Sequence, residues 1–148
     1  MSIISLLTYC YQFFIFFIVI INLRIASYNV NGLHNLHKCD KITQWSKLFN
    51  VDILILQETF FNLDSDYRHF KDQWRGRFVF SPSLNNKSGG VCIAFKENLQ
   101  ISISSIKCDN SGRLISIICN YKGQTFRICN IHAPSSPSDR SQFFYEYL

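Results

Sequence analysis

Two apolar runs frame the first part of the chain, and each closes on polar residues. Leu23-Arg24-Ile25-Ala26-Ser27-Tyr28-Asn29-Val30-Asn31-Gly32-Leu33 reads as a short strand that breaks into a turn. Val51 to Leu56 is almost continuously apolar, the pattern of a strand covered on both faces, and it ends on Gln57-Glu58-Thr59. Between them, Lys38 to Phe49 carries Ile42, Trp45, Leu48 and Phe49 at helical spacing with polar residues between, which predicts an amphipathic crossover helix. A strand, helix and strand joined this way lie parallel, so Asn29 and Glu58 are expected at the same edge of one sheet.

The pattern then turns to strands. Asn62 to Arg77 is polar and aromatic and reads as surface loop with one helical turn. Arg77 to Ser81 predicts a strand, Leu84 to Gly90 a turn, and Val91 to Phe95 another strand. Isoleucines alternate with serines in Leu99 to Ile106, as in a half-buried strand. Gly112 to Asn120 and Thr125 to Ile131 form a hairpin through Tyr121-Lys122-Gly123-Gln124. Pro134 stops the last strand, and Ser138 to Leu148 predicts a helix with Phe143, Phe144, Tyr147 and Leu148 on its apolar side. The whole is an α/β chain built mostly on antiparallel pairs with one parallel unit at the front.

The start of the chain has a different pattern. Ile3 to Ile21 contains no charged residue and is apolar on every side, so it predicts a helix outside the folded segment that the fold does not need. The run reaches the about 18 residues at which a membrane helix becomes a candidate, although Thr8, Tyr9, Cys10, Tyr11 and Gln12 weaken it. No basic n-region or small-residue cleavage site precedes the first strand, which argues against an ordinary secretory signal. Two alternatives stay open: a signal anchor or membrane helix that makes the membrane a partner, or a plain extension. The chain divides into a hydrophobic segment, residues 1–22, and a folded segment, residues 23–148. The location is membrane if residues 3–21 insert, and otherwise nuclear or cytoplasmic.

Hydrophobic residues make up 47% of the chain and charged residues 17%, a globular composition that excludes a disordered one. Fifteen Lys and Arg against ten Asp and Glu give a net charge of +5. That mild excess suits a phosphate-bearing partner, and it equally suits a solvated surface, because no basic run is present. The six cysteines include no C-x-x-C pair, and Cys92, Cys119 and Cys129 sit in apolar runs, so they read as small buried hydrophobes. No disulfide is expected.

Asn29, Glu58 and His132 each stand at the end of a strand, where a sheet presents ligand-binding groups. Singly each has an ordinary reading: Asn at a strand-to-turn junction, an exposed Glu, a loop His before Ala-Pro. An amide oxygen beside a carboxylate is also what a hard divalent cation requires.

Five motifs in order carry a resemblance: Ser27-Tyr28-Asn29-Val30-Asn31-Gly32-Leu33, Leu56-Gln57-Glu58-Thr59, Ser88-Gly89-Gly90-Val91, Gly112-Arg113-Leu114, and Asn130-Ile131-His132-Ala133-Pro134 followed by Pro137, Arg140 and Phe144. From Leu23 onward the chain resembles the endonuclease/exonuclease/phosphatase superfamily, and within it the endonucleases of LINE-type (non-LTR) retrotransposons and the abasic-site endonucleases. The resemblance implies the N-terminal half of a four-layer α/β sandwich and Mg2+- or Mn2+-dependent hydrolysis of phosphodiesters, with the DNA backbone as partner. It implies that Glu58 and Asn29 hold a weakly bound metal, that Asn31 and His132 bind substrate, and that His132, Asn29 and Glu58 form the catalytic group. His132 replaces a tyrosine usual in those branches and is similar to the pancreatic deoxyribonuclease branch, where the histidine faces the scissile phosphate. The family's later Asp-x-Asn and terminal Asp-His motifs have no counterpart before Leu148. The expected activity is therefore that of a retrotransposon-type DNA endonuclease, with this chain an inactive part of it. The competing expectations are a membrane-associated phosphoinositide phosphatase or sphingomyelinase of the same superfamily, and a remnant without turnover.

Overall fold

The protein is described by a computed structural model covering residues 5–8, 16–20, 22–85 and 87–147. The elements in order are β1 (Ser5–Thr8), β2 (Phe16–Ile20), β3 (Leu23–Asn29), α1 (Leu36–Leu48), β4 (Ile53–Gln57), a 3-10 turn (Asp64–Tyr67), α2 (Arg68–Trp74), β5 (Arg77–Ser81), β6 (Val91–Phe95), β7 (Ile101–Cys108), β8 (Leu114–Tyr121), β9 (Gln124–Ile131) and α3 (Pro137–Tyr147). They form two sheets, ordered β2-β3-β4-β6-β5 and β1-β9-β8-β7.

The residue alternation along β4 explains why the sheets stack. Ile53 and Ile55 face the second sheet and pack with Val91, Ile93, Ile115 and Ile117. Leu54 and Leu56 face the other way and pack with Cys39 and Ile42 of α1 and Phe70 and Trp74 of α2. A strand whose first four residues are all apolar therefore serves two cores at once, and all five residues of β4, Gln57 included, are buried. A third, smaller cluster places Phe143 of α3 on Leu114 and Ile131. The layers are helices, sheet, sheet, helix. β3 and β4 pair in parallel with Asn29 opposite Gln57, and all other pairs inside the five-stranded sheet are antiparallel.

Three elements differ from what the pattern of residues predicts. The hydrophobic start does not form the expected N-terminal helix where it is described: Ser5–Thr8 pairs in parallel with β9, and Phe16–Ile20 pairs antiparallel with β3. Phe16-Phe17-Ile18-Val19-Ile20 consists of aromatic and β-branched residues, which favour strands, and it covers a β3 edge that would otherwise present unpaired amides. Among the described residues no helix is long and apolar enough to cross a membrane. Residues 3–4, 9–15 and 21 of the predicted helix lie outside the described residues.

The predicted loop after β4 contains the 3-10 turn and α2, which bury Tyr67, Phe70 and Trp74. Two helical turns would not hold alone, so tertiary packing decides here: Tyr67 stacks on Phe80 at 4.1 Å and the Trp74 indole donates to Phe95 O at 2.7 Å. In α1 the buried face is Cys39, Ile42, Thr43 and Ser46, whereas Leu48 is 79% exposed. The hydroxyls of Thr43 and Ser46 donate to helix carbonyls, so burying them costs little and the face turns away from the apolar stripe.

Candidate functional site

β3 and β4 continue side by side past their last strand residues. Val30 N donates to Gln57 O, Gly32 N to Glu58 O and Leu33 N to Thr59 O, at 2.7 to 3.0 Å. This zipper forces turns into both segments: Asn31, Glu58 and Phe60 take φ of 45°, 55° and 61°. A left-handed backbone at a glutamate stores strain of order 1–3 kcal/mol, which surrounding structure must hold. The Gly89-Gly90 pair supplies that hold through Thr59 N to Gly90 O and Phe60 N to Gly89 O. A side chain at Gly90 would sit 2.5 Å from Thr59 Oγ1, so the close approach needs glycine.

His132 arrives from the other sheet. Its backbone N–H donates to Arg113 O at 2.8 Å, and the Arg113 guanidinium returns a bond to His132 O at 3.3 Å. The turn bearing Arg113 is fixed by buried Asp109, which accepts from Arg113 N and Leu114 N. Behind the site, Gln57 and Asn130 join the sheets: Gln57 Nε2 donates to Asn130 Oδ1 at 2.8 Å, and Asn130 Nδ2 donates to Leu56 O and Cys92 O at 2.9 Å. Both residues are fully buried.

The result is a contact between the sheets at one edge, with His132 Nε2 2.9 Å from Glu58 Oε1. Asn29, 9% exposed, accepts from Asn31 N–H through its Oδ1 at 3.1 Å and hydrogen-bonds Glu58 through its amide. Glu58 is held below the ordinary carboxylate value of 4.5, first by the His132 hydrogen bond, against the opposing effect of burial, with Asn29, the His132 charge and Arg113 adding to the shift. His132 Nδ1 is buried without a partner.

All four residues named from the sequence, Asn29, Asn31, Glu58 and His132, meet at this edge. Asn29 does so differently from the expected oxygen ligand: its oxygen is turned to Asn31, and its N–H orients the Glu58 carboxylate. Lys38 and Arg113 were not singled out. Lys38 Nζ donates to Asn31 O at 3.0 Å, and burial lowers its pKa while the Glu58 charge opposes the shift. A basic residue one turn into a helix carries no signal by itself, whereas Arg113 belongs to the Gly112-Arg113-Leu114 motif, whose pattern assigns it no role.

A divalent cation fits these residues in one way. Among the described residues no group of three or more His, Cys, Asp or Glu could form a cage. One ionised carboxylate at the mouth of a polar edge suits Mg2+, which keeps most of its waters and takes one or two protein carboxylates. The arrangement can hold a cation through Glu58, whose carboxylate is already met by His132 Nε2 and Asn29, with Lys38 and Arg113 beside them.

Residues 26–148 match the profile described as the Endonuclease/Exonuclease/phosphatase family. The transposon TX1 uncharacterized 149 kDa protein of Xenopus laevis is 27% identical over 122 residues, covering 82% of this chain and 9% of that protein. Among solved structures, the fold is similar to the AP endonuclease LMAP from Leishmania major, with TM-score 0.60 and 18% identity over 83% of this chain and 44% of that one. It is likewise similar to TDP2 from Caenorhabditis elegans, with TM-score 0.62 and 20% identity over 83% of this chain and 40% of that one. The chain thus spans less than half the length of these two structures and about a tenth of the transposon protein.

Proposed function

This chain belongs to the Endonuclease/Exonuclease/phosphatase family, and from that premise we propose that it supplies the metal-holding and phosphate-facing part of a nucleic-acid phosphodiesterase of retrotransposon type. The observation that carries the reading is the Glu58–His132 contact, 2.9 Å across two sheets, with the carboxylate kept ionised. The similarity to an AP endonuclease and to a transposon protein favours DNA as the substrate.

Glu58 would hold a weakly bound Mg2+ or Mn2+, with water completing the shell and Asn29 orienting the carboxylate. When bound, such an ion polarises a phosphoryl oxygen and offsets charge on the leaving oxygen. With substrate present, His132 Nε2 would exchange its Glu58 contact for a nonbridging phosphate oxygen, a bond that strengthens as charge gathers there. Asn31 and Lys38 line the approach for the neighbouring backbone. No carboxylate among the described residues beyond β9 is placed to take a proton from water, since Asp139 and Glu146 are exposed on α3.

The membrane-enzyme alternative loses its motivation, because residues 5–8 and 16–20 are strands within the sheets. Supercoiled plasmid incubated with the 148-residue chain and Mg2+ should stay intact, since loss of a general base alone costs about 10²- to 10⁴-fold. The chain should nevertheless bind DNA more tightly with Mg2+ than with EDTA, and Glu58→Gln should abolish that difference. Nicking that vanishes in Glu58→Ala would keep the phosphodiesterase reading and overturn the expected inactivity. Binding and cleavage indifferent to both Mg2+ and Glu58 would overturn the phosphodiesterase reading.

A further inference from the structure

A second concavity lies at the opposite end of the sheets. The α2–β5, β6–β7 and β8–β9 turns enclose a cleft of about 690 Å³, lined by Arg75, Arg77, Lys96 and Lys122 with Glu97 as its one acidic side chain. Its shape is built in. A Cβ on Gly76 would fall 1.8 Å from Phe95 O and 3.0 Å from Glu97 N, so glycine lets the first two turns close on one another. The Trp74 indole bond to Phe95 O fixes the same junction.

The cations are of two kinds. Arg77 is anchored, donating to Ile101 O at 2.5 Å with its guanidinium 5.8 Å from the Phe95 ring. Lys96 is anchored too, reaching Asn50 Oδ1 and lying 3.6 Å from Asp52. Arg75 and Lys122 stand exposed on the rim, each on a left-handed turn residue, with Lys122 Nζ 5.1 Å from the Tyr121 ring. Between them lie the neutral side chains of Asn98, Gln100 and Asn120. Even with Asp52 and Glu97 opposing two of the positive charges, the cleft remains cationic.

A single small anion is held by donors that converge on one point. Here the positive groups are spread over three turns with amides between, which suits a ligand whose negative charges repeat along its length. We propose that this cleft binds the phosphate backbone of a nucleic acid strand, at a station separate from the Glu58 edge. β8 runs from the one edge to the other over eight residues, about 23 Å at ~3.3 Å per residue. A strand lying in the cleft therefore engages a different stretch of polymer from any phosphate at Glu58. The inference does not depend on the phosphodiesterase reading, because the cleft shares no residue with that site.

The test is fluorescence anisotropy of a labelled 20-nucleotide oligodeoxythymidine with the full chain, in EDTA, across a salt series. For R75E/K122E, loss of two single-strand phosphate contacts should lower the log–log salt slope by about 1.4 and weaken binding about 25-fold near 0.1 M salt. R75Q/K122Q should show the same change in slope. K107E/R127E makes the same change in net charge with exposed residues of β7 and β9 outside the cleft, and should keep the wild-type slope. An equal loss in both charge-reversed pairs would show that only net charge matters and overturn the proposal. So would an unchanged slope in R75E/K122E, or binding of a 20-residue poly-glutamate as tight as that of the oligonucleotide. Because metal is absent and Glu58 is intact throughout, none of these outcomes bears on the site at the other edge.

Discussion

Glu58 shows how a single residue here depends on its surroundings. Its backbone is left-handed, its carboxylate is half-buried, and its charge is held by a histidine from the other sheet. Because its folded-state pKa is depressed, the ionised form stabilises the fold at pH above the ordinary value of 4.5 and that contribution is lost as pH falls through the lower, folded value. Acid melts of the wild type and Glu58→Gln should therefore differ most above pH 4.5 and converge as the pH falls below it, with the glutamine variant less sensitive to pH over that descent. Parallel melting curves for the two proteins over that range would show that the His132 contact contributes nothing. His132→Ala should raise the pH at which the wild-type contribution disappears, since burial of Glu58 would then act against a weaker set of partners.

At this scale the site was legible in part, for a physical reason. Asn29, Glu58 and His132 end strands, and strand ends are visible in the pattern of residues. Gln57 and Asn130 look like ordinary polar residues until the sheets stack and their side chains meet in the core. The same holds for Lys38, whose amine reaches Asn31 only because the β3–α1 turn folds back.

Among the elements, α2 is the most instructive. Local pattern favoured a loop because Asp, Arg, His and Lys are interleaved through the segment, yet three aromatic residues at positions 67, 70 and 74 reach the sheet. Spacings of three and four residues are the helical signature, and they are easily missed when the helix has only seven residues. Trp74 anchors it twice, by burial and by its bond to Phe95 O. Trp74→Ala is expected to cost about 3–5 kcal/mol, and Trp74→Phe, which keeps most of the packing but orphans the carbonyl, about 1–3 kcal/mol. Urea unfolding of both variants measures this, and a tryptophan-to-phenylalanine change without effect would mean the indole bond is not formed in solution. The same element closes the basic cleft, so Trp74→Phe should also weaken oligonucleotide binding there.

At the scale of the molecule, the described parts of the hydrophobic start, Ser5–Thr8 and Phe16–Ile20, belong one to each of the two sheets. An apolar run of 19 residues satisfies the arithmetic of a spanning helix, and nothing in its hydrophobicity distinguishes that from two strands. What decides is the partner: β3 and β9 carry fully buried residues such as Ala26 and Ile128, and each has an edge free to pair. β2 takes the β3 edge over five residue pairs and β1 takes the β9 edge over four. One segment thus covers the same side of both sheets, next to the strands that deliver Asn29 and His132. Removing residues 1–21 should uncover both edges together, and exposed edges beside apolar cores associate with one another. The shortened chain is expected to elute as oligomers or precipitate, and to lose a cooperative thermal transition, when followed by light scattering and circular dichroism. A shortened chain that stays monomeric and melts at the wild-type temperature would show that β1 and β2 are dispensable additions, as the sequence pattern alone suggests. The site should respond in step with the edges: if the strands beside Asn29 and His132 loosen, the Glu58 carboxylate loses its partners and Mg2+-dependent DNA binding falls with the fold.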